Sequence, residues 1–74
     1  MPVFRYTVKH TGISNNIRYE KGMTVDVVAL TTSNPLFANG GQPVADAFMR
    51  IYGIDIKKAG ILNSGYLDSE MIKN

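Results

Sequence analysis

Residues 4–9 alternate without a break: Phe4, Tyr6 and Val8 fall on one side of an extended chain, Arg5, Thr7 and Lys9 on the other. Successive side chains of a strand point to opposite faces, so this segment predicts a strand with one buried and one solvated face, as in an antiparallel sheet. Pro2 is tolerated at the start of such a strand. Residues 10–16 predict a loop, with Gly12, Ser14, Asn15 and Asn16 as turn formers. A short extended piece follows with Ile17 and Tyr19 on one side, and Lys21-Gly22 marks a turn or bulge. Met23, Val25, Val27 and Ala29 then alternate with Thr24 and Asp26, which predicts a second main strand. Val28 and Leu30 break its pattern by placing apolar side chains on the polar side.

Residues 31–42 read as a long connection. Asn34 before Pro35 is an N-cap followed by a proline at the first helical position, which predicts one helical turn through Leu36 and Phe37, ended by Asn39-Gly40. The main helix follows Pro43: Val44, Ala47, Phe48, Ile51 and Tyr52 recur at helical spacing and make one apolar stripe. Asp46 lies near its positive end, Asp46 and Arg50 are spaced for an i, i+4 pair, and Gly53 suits the position just past the last turn. Asp55 then caps a short second helix through Ile56 and Ala59, reaching toward Leu62. Asn63-Ser64-Gly65 is a turn. In the tail, Leu67, Ser69 and Met71 alternate with Tyr66, Asp68 and Glu70, which predicts a last strand; a helix capped by Asp68 or Ser69 is the alternative.

Together these elements predict an α+β fold over residues 1–74 as one domain: a small antiparallel sheet of about three strands with one main helix packed on one face, in the order β-β-α-(short α)-β. Phe4, Tyr6, Val8, Val25, Val27, Leu67 and Met71 form the inner face. The other face carries Arg5, Lys9, Asp26, Asp68 and Glu70, whose mixed signs predict cross-strand charge pairing.

With 74 residues and no cysteine, the chain is short and lacks the disulfides that brace many small folds. Its 45% of hydrophobic residues is nonetheless the ordinary level of a folded domain and argues against disorder. The lack of cysteine fits a reducing compartment, Arg5 and Lys9 interrupt the first apolar stretch where a signal peptide would need continuity, and the longest strictly apolar run is residues 27–30. The expected location is therefore the cytoplasm, with no membrane partner. The net charge of +2 is mild beside the basic excess of most nucleic-acid binders.

Little in the chain points to chemistry. His10 is the sole histidine, and with Ser14 it sits in a turn-rich stretch without a third group to orient it. Asp68 and Glu70 share a strand face at i, i+2, where solubility accounts for them. Gly40-Gly41 lacks the Gly-Lys-Ser/Thr finish of a phosphate loop. The expectation is a protein that is not an enzyme and has no cofactor and no catalytic, cofactor-binding or metal-binding residue. The helix pair around Gly53 has the outline of a helix-turn-helix that would present Lys57 and Lys58 to a nucleic acid, although Gly60 would interrupt its second helix.

Three short patterns carry a resemblance: Lys-Gly-Met-x-Val at 21–25, Tyr-Gly-Ile-Asp-x-Lys-Lys at 52–58 and Tyr-Leu-Asp-x-Glu at 66–70. They resemble a small bacterial family of uncharacterised proteins, across most of the chain, and imply no activity, cofactor or functional residue. The function expected from the residues is a small interaction domain, a homodimer or an accessory subunit of another protein. Val28, Leu30, Leu36 and Phe37, apolar residues without an obvious internal slot, are the expected interface; for these residues the equal alternative is that the 31–42 loop folds back and Leu36 and Phe37 cap Val28 and Leu30 within one chain. A nucleic-acid-binding accessory protein using Lys57 and Lys58 is the alternative.

Overall fold

The computed structural model describes residues 2–29, 34, 36 and 39–73. The alternation at the start of the chain becomes strand β1, Val3–Val8, with Phe4, Tyr6 and Val8 buried and Arg5 in water. It is the middle strand of a three-stranded antiparallel sheet, flanked by β4, Thr24–Val28, and by β5, Leu67–Lys73. The order β4-β1-β5 thus brings the two ends of the chain together as neighbours. Tyr6 stands opposite Val25 on one side and Ser69 on the other, and Val8 opposite Leu67, so the inner-face residues align in rows. The tail is a strand, as its alternation predicts.

The expected loop at residues 10–16 is instead half of a hairpin. β2, Gly12–Ser14, pairs with β3, Ile17–Tyr19, across Asn15 and Asn16, both at positive φ (50° and 65°). Two consecutive left-handed residues make the turn whose twist matches that of the flanking strands, and asparagine is among the few side chains that tolerate it. The turn formers were legible; that the flanking residues pair was not, because three residues carry too little periodicity. A Cβ on Gly12 would lie 2.7 Å from the Tyr19 hydroxyl oxygen, so glycine there lets the aromatic ring lie across the hairpin. The Asn15 side chain then donates to the carbonyl of Lys58 (2.7 Å), tying the hairpin to the helices.

Helix α1, Gln42–Tyr52, begins at Gly41 and ends at Gly53, whose N–H reaches the Met49 carbonyl at 3.0 Å. Gly41 is needed at its start: φ is +76°, and a Cβ would lie 2.9 Å from the Leu62 side chain and 3.1 Å from the Leu36 carbonyl oxygen. Val44, Ala45, Ala47 and Phe48 are buried and pack the helix against the sheet, mainly along β4. The predicted stripe also included Ile51 and Tyr52. Ile51 is 53% exposed, because only the first two turns lie over the core. The expected Asp46–Arg50 pair is absent among the described residues; the Asp46 carboxylate accepts from the Gln42 side chain instead (2.7 Å).

Helix α2, Ile56–Ala59, is a single turn capped by Asp55, whose carboxylate accepts from the Lys58 N–H at 3.1 Å, and closed by Gly60 before it can reach Leu62. Its buried Ile56 and Ala59, with Ile61, extend the core between the sheet and the hairpin. Met71 lies on the expected inner face, opposite Phe4, but is 46% exposed rather than buried, since β5 is an edge strand and nothing described flanks its far end.

Candidate interaction surface

α1 covers one face of the three-stranded sheet, and among the described residues no element covers the other. Three rows cross it: Thr24, Thr7 and Asp68; Asp26, Arg5 and Glu70; and Val28, Val3 and Lys73. In the middle row Arg5 binds Asp26 through two parallel bonds, Nε to Oδ1 at 2.9 Å and Nη2 to Oδ2 at 3.3 Å. This is the predicted cross-strand pairing. The bond to Asp26, reinforced by the charge of Asp26, holds the Arg5 guanidinium above its ordinary range. Asp68 and Glu70 form no ion pair among the described residues. In the first row the Thr24 and Thr7 hydroxyls meet at 3.3 Å.

The last row is apolar on β4 and β1 and ends on Lys73. Val28 is 60% exposed, opposite Val3, and Ile72, the extra residue of β5 where the β1–β5 register shifts, is 37% exposed. Of the expected interface residues, Val28 is therefore on a free surface. Leu36 is not: at 5% exposure it belongs to the core. The sequence suggested an apolar residue without a slot because the slot is built by segments remote from it. Leu30 and Phe37 lie outside the described residues.

Asn34 explains how Leu36 is held. Its side-chain oxygen accepts from the Leu36 N–H (2.9 Å), as the Asn-Pro start predicts, and from the hydroxyl of Tyr6. Tyr6 is fully buried at the centre of the sheet, and burial pushes its hydroxyl up to about 12. The role of Tyr6 is thus to pin the loop to the sheet, which alternation alone did not reveal.

The sheet has two free edges. Val8 exchanges backbone bonds with Gly22 and Met23, and Lys9 donates to Tyr66. By the alternation of antiparallel ladders, Thr24, Asp26 and Val28 of β4 and Leu67, Ser69 and Met71 of β5 aim their backbone N–H and C=O groups outward. On the β4 edge, the Tyr52 hydroxyl accepts from the Thr24 N–H (2.9 Å) and donates to its carbonyl (3.0 Å), filling one docking slot. On the β5 edge the Leu67 N–H is taken by Asn63 O (2.9 Å), and beyond it no described group occupies the slots of Ser69 and Met71.

Elsewhere, His10 packs edge-on against Tyr66 with ring centres 5.9 Å apart. Lys57 and Lys58 are exposed on α2, but one helical turn presents few side chains to a groove, and the Lys58 carbonyl is bound by the hairpin. Gln42, Ala45, Asp46, Met49, Asp55 and Lys57 line an open cleft of about 250 Å³ in which both carboxylates already have partners, Gln42 for Asp46 and the α2 backbone for Asp55. No group of three or more His, Cys, Asp or Glu among the described residues is placed to hold a metal ion, and no described helix is long and apolar enough to cross a membrane.

Fold and surface define a small two-layer α+β domain with an uncovered, chemically mixed sheet face. The chain belongs to a family of unknown function, DUF6140, whose model matches residues 1–69, in keeping with the resemblance to an uncharacterised family. No curated protein and no solved structure matches it.

Proposed function

We propose that this chain is a non-enzymatic interaction domain that acts as a homodimer or as an accessory subunit, through the apolar end of its uncovered sheet face. The observation that supports this reading is the pair of Val28 and Val3, apolar side chains opposite each other on a face otherwise polar, with Val28 60% exposed. A patch of this kind gains by leaving water against a partner, and a symmetric pair covers it with its own copy. A small domain without disulfides also gains stability from any partner that binds only its folded form. The reading places the chain in the cytoplasm, where a sequence without cysteine is at no disadvantage.

Sedimentation velocity at micromolar concentration tests it. A dimer mass is expected, falling to a monomer in Val28→Asp, which buries a charge in the proposed contact. A monomer mass for the unaltered chain would overturn the homodimer and leave the accessory role. A dimer untouched by Val28→Asp would move the contact off this face.

A further inference from the structure

We infer that the outer edge of β5 receives an extended segment of a partner protein in which apolar and basic residues alternate. This deepens the interaction-domain reading and rests on it, but it concerns a surface distinct from Val28. A strand edge with unpaired N–H and C=O groups is a template for another strand. Each edge keeps two outward slots beyond a filled one: Tyr52 takes Thr24 on β4, leaving Asp26 and Val28, and Asn63 takes the Leu67 N–H on β5, leaving Ser69 and Met71. What singles out β5 is charge, since Asp26 is already paired with Arg5. The side chains beside that edge dictate what fits. On the outer face they are Asp68 and Glu70, exposed and without ion pairs among the described residues, with Lys73 beyond the register shift. On the helix side they are Leu67, Ser69 and the half-exposed Met71.

An incoming strand lays alternate side chains on these two faces. Basic residues are thus wanted beside Asp68 and Glu70, and apolar residues beside Met71. The inner edge of β5 shows the same requirement met: β1 places Arg5 opposite Glu70, and Phe4 and Val8 opposite Met71 and Leu67. A second copy of β5 is disfavoured in the registers that use both open slots. Antiparallel self-pairing centred on residues 68, 69 or 70 sets Asp68 against Asp68, Asp68 against Glu70, or Glu70 against Glu70, and like charges directly opposite destabilise a ladder.

The test uses the full chain, labelled for amide NMR, and a blocked peptide Val-Arg-Val-Lys-Val-Arg. Its control carries Glu at each basic position. The expected result is a salt-sensitive shift of the Ser69 and Met71 amides, with the basic peptide binding about tenfold more tightly than its control. Asp68→Lys plus Glu70→Lys should reverse that preference, and its unchanged amide spectrum elsewhere would show that it folds. Equal binding of both peptides, or shifts confined to other residues, would overturn the inference. So would binding of a peptide copying residues 66–73 in preference to the basic one, which would make a second copy the occupant. Failure here with a dimer broken by Val28→Asp refutes the β5 edge alone; a monomer that binds the basic peptide refutes the homodimer alone.

Discussion

Single residues in this protein act mostly by what they fill. Phe48 is wholly buried in the middle of α1, facing the sheet. Phe48→Ala removes most of that side chain and leaves a cavity, so a loss of about 3–5 kcal/mol is expected from urea denaturation. A loss below about 1 kcal/mol would mean that the helix does not pack as described. Tyr6 acts through its hydroxyl as well. Its folded-state value of about 12 lies above the ordinary 10, so folding favours the neutral form. The associated stability is fully present below pH 10 and drains away as pH rises toward 12. Urea midpoints followed upward from pH 8 should therefore fall more steeply for the unaltered chain than for Tyr6→Phe, about the ordinary tyrosine range near 10; parallel curves would contradict the assignment. Leu36 carries the lesson in reverse: its own sequence context suggested exposure, and its neighbours in space bury it.

At the scale of elements, start and stop chemistry was largely readable. Asp55 was legible as a cap because the physics is local: a carboxylate one residue ahead of a helix meets the free N–H groups of its first turn. Asp55→Ala should cost about 1 kcal/mol in a denaturation midpoint, and because α2 supports Ile56, Ala59 and the hairpin, hydrogen exchange should rise first in α2 and at Asn15. An unchanged midpoint would show that packing of Ile56, not the cap, holds that turn. The β2–β3 hairpin was half legible. Asn15 and Asn16 announced the turn, but three residues on each side contain too short an alternation to announce strands, and their pairing depends on Tyr19 lying over Gly12. α1 ends at Gly53 as expected, but the burial of its last turn was not legible for a related reason: periodicity places Ile51 on the stripe but does not say how far the sheet beneath it extends.

At the scale of the molecule, charge is distributed rather than merely balanced. The middle of the uncovered sheet sets Arg5 against Asp26, Asp68 and Glu70, while Arg18, Lys21, Arg50, Lys57 and Lys58 are spread over the hairpin, the turn after it and the helices with Glu20, Asp46 and Asp55 among them. Neither arrangement forms a continuous basic strip. Nucleic-acid binding at physiological salt should therefore be no tighter than about micromolar, the ordinary non-specific range, by filter binding. Tight binding abolished in Lys57→Ala plus Lys58→Ala would restore the helix-pair reading. The same distribution leaves the β5 edge acidic and Val28 in an apolar corner, so the two proposed contacts differ in their response to salt.

The sequence by itself determined which way side chains point. Period-two alternation assigned Phe4, Tyr6 and Val8 to one face and Arg5 to the other, the helical stripe found Val44, Ala47 and Phe48, and Asn34 and Asp55 marked where turns begin. These properties follow from backbone geometry within a few residues. Only the tertiary structure decided that β1 lies between β4 and β5, that Tyr6 reaches Asn34, that Tyr52 fills the Thr24 slot of one edge while the Ser69 and Met71 slots of the other meet no described group, and that Leu36 is buried while Val28 is exposed. Alternation names a face but not a neighbour, and every one of these outcomes depends on which distant segment arrives beside the residue.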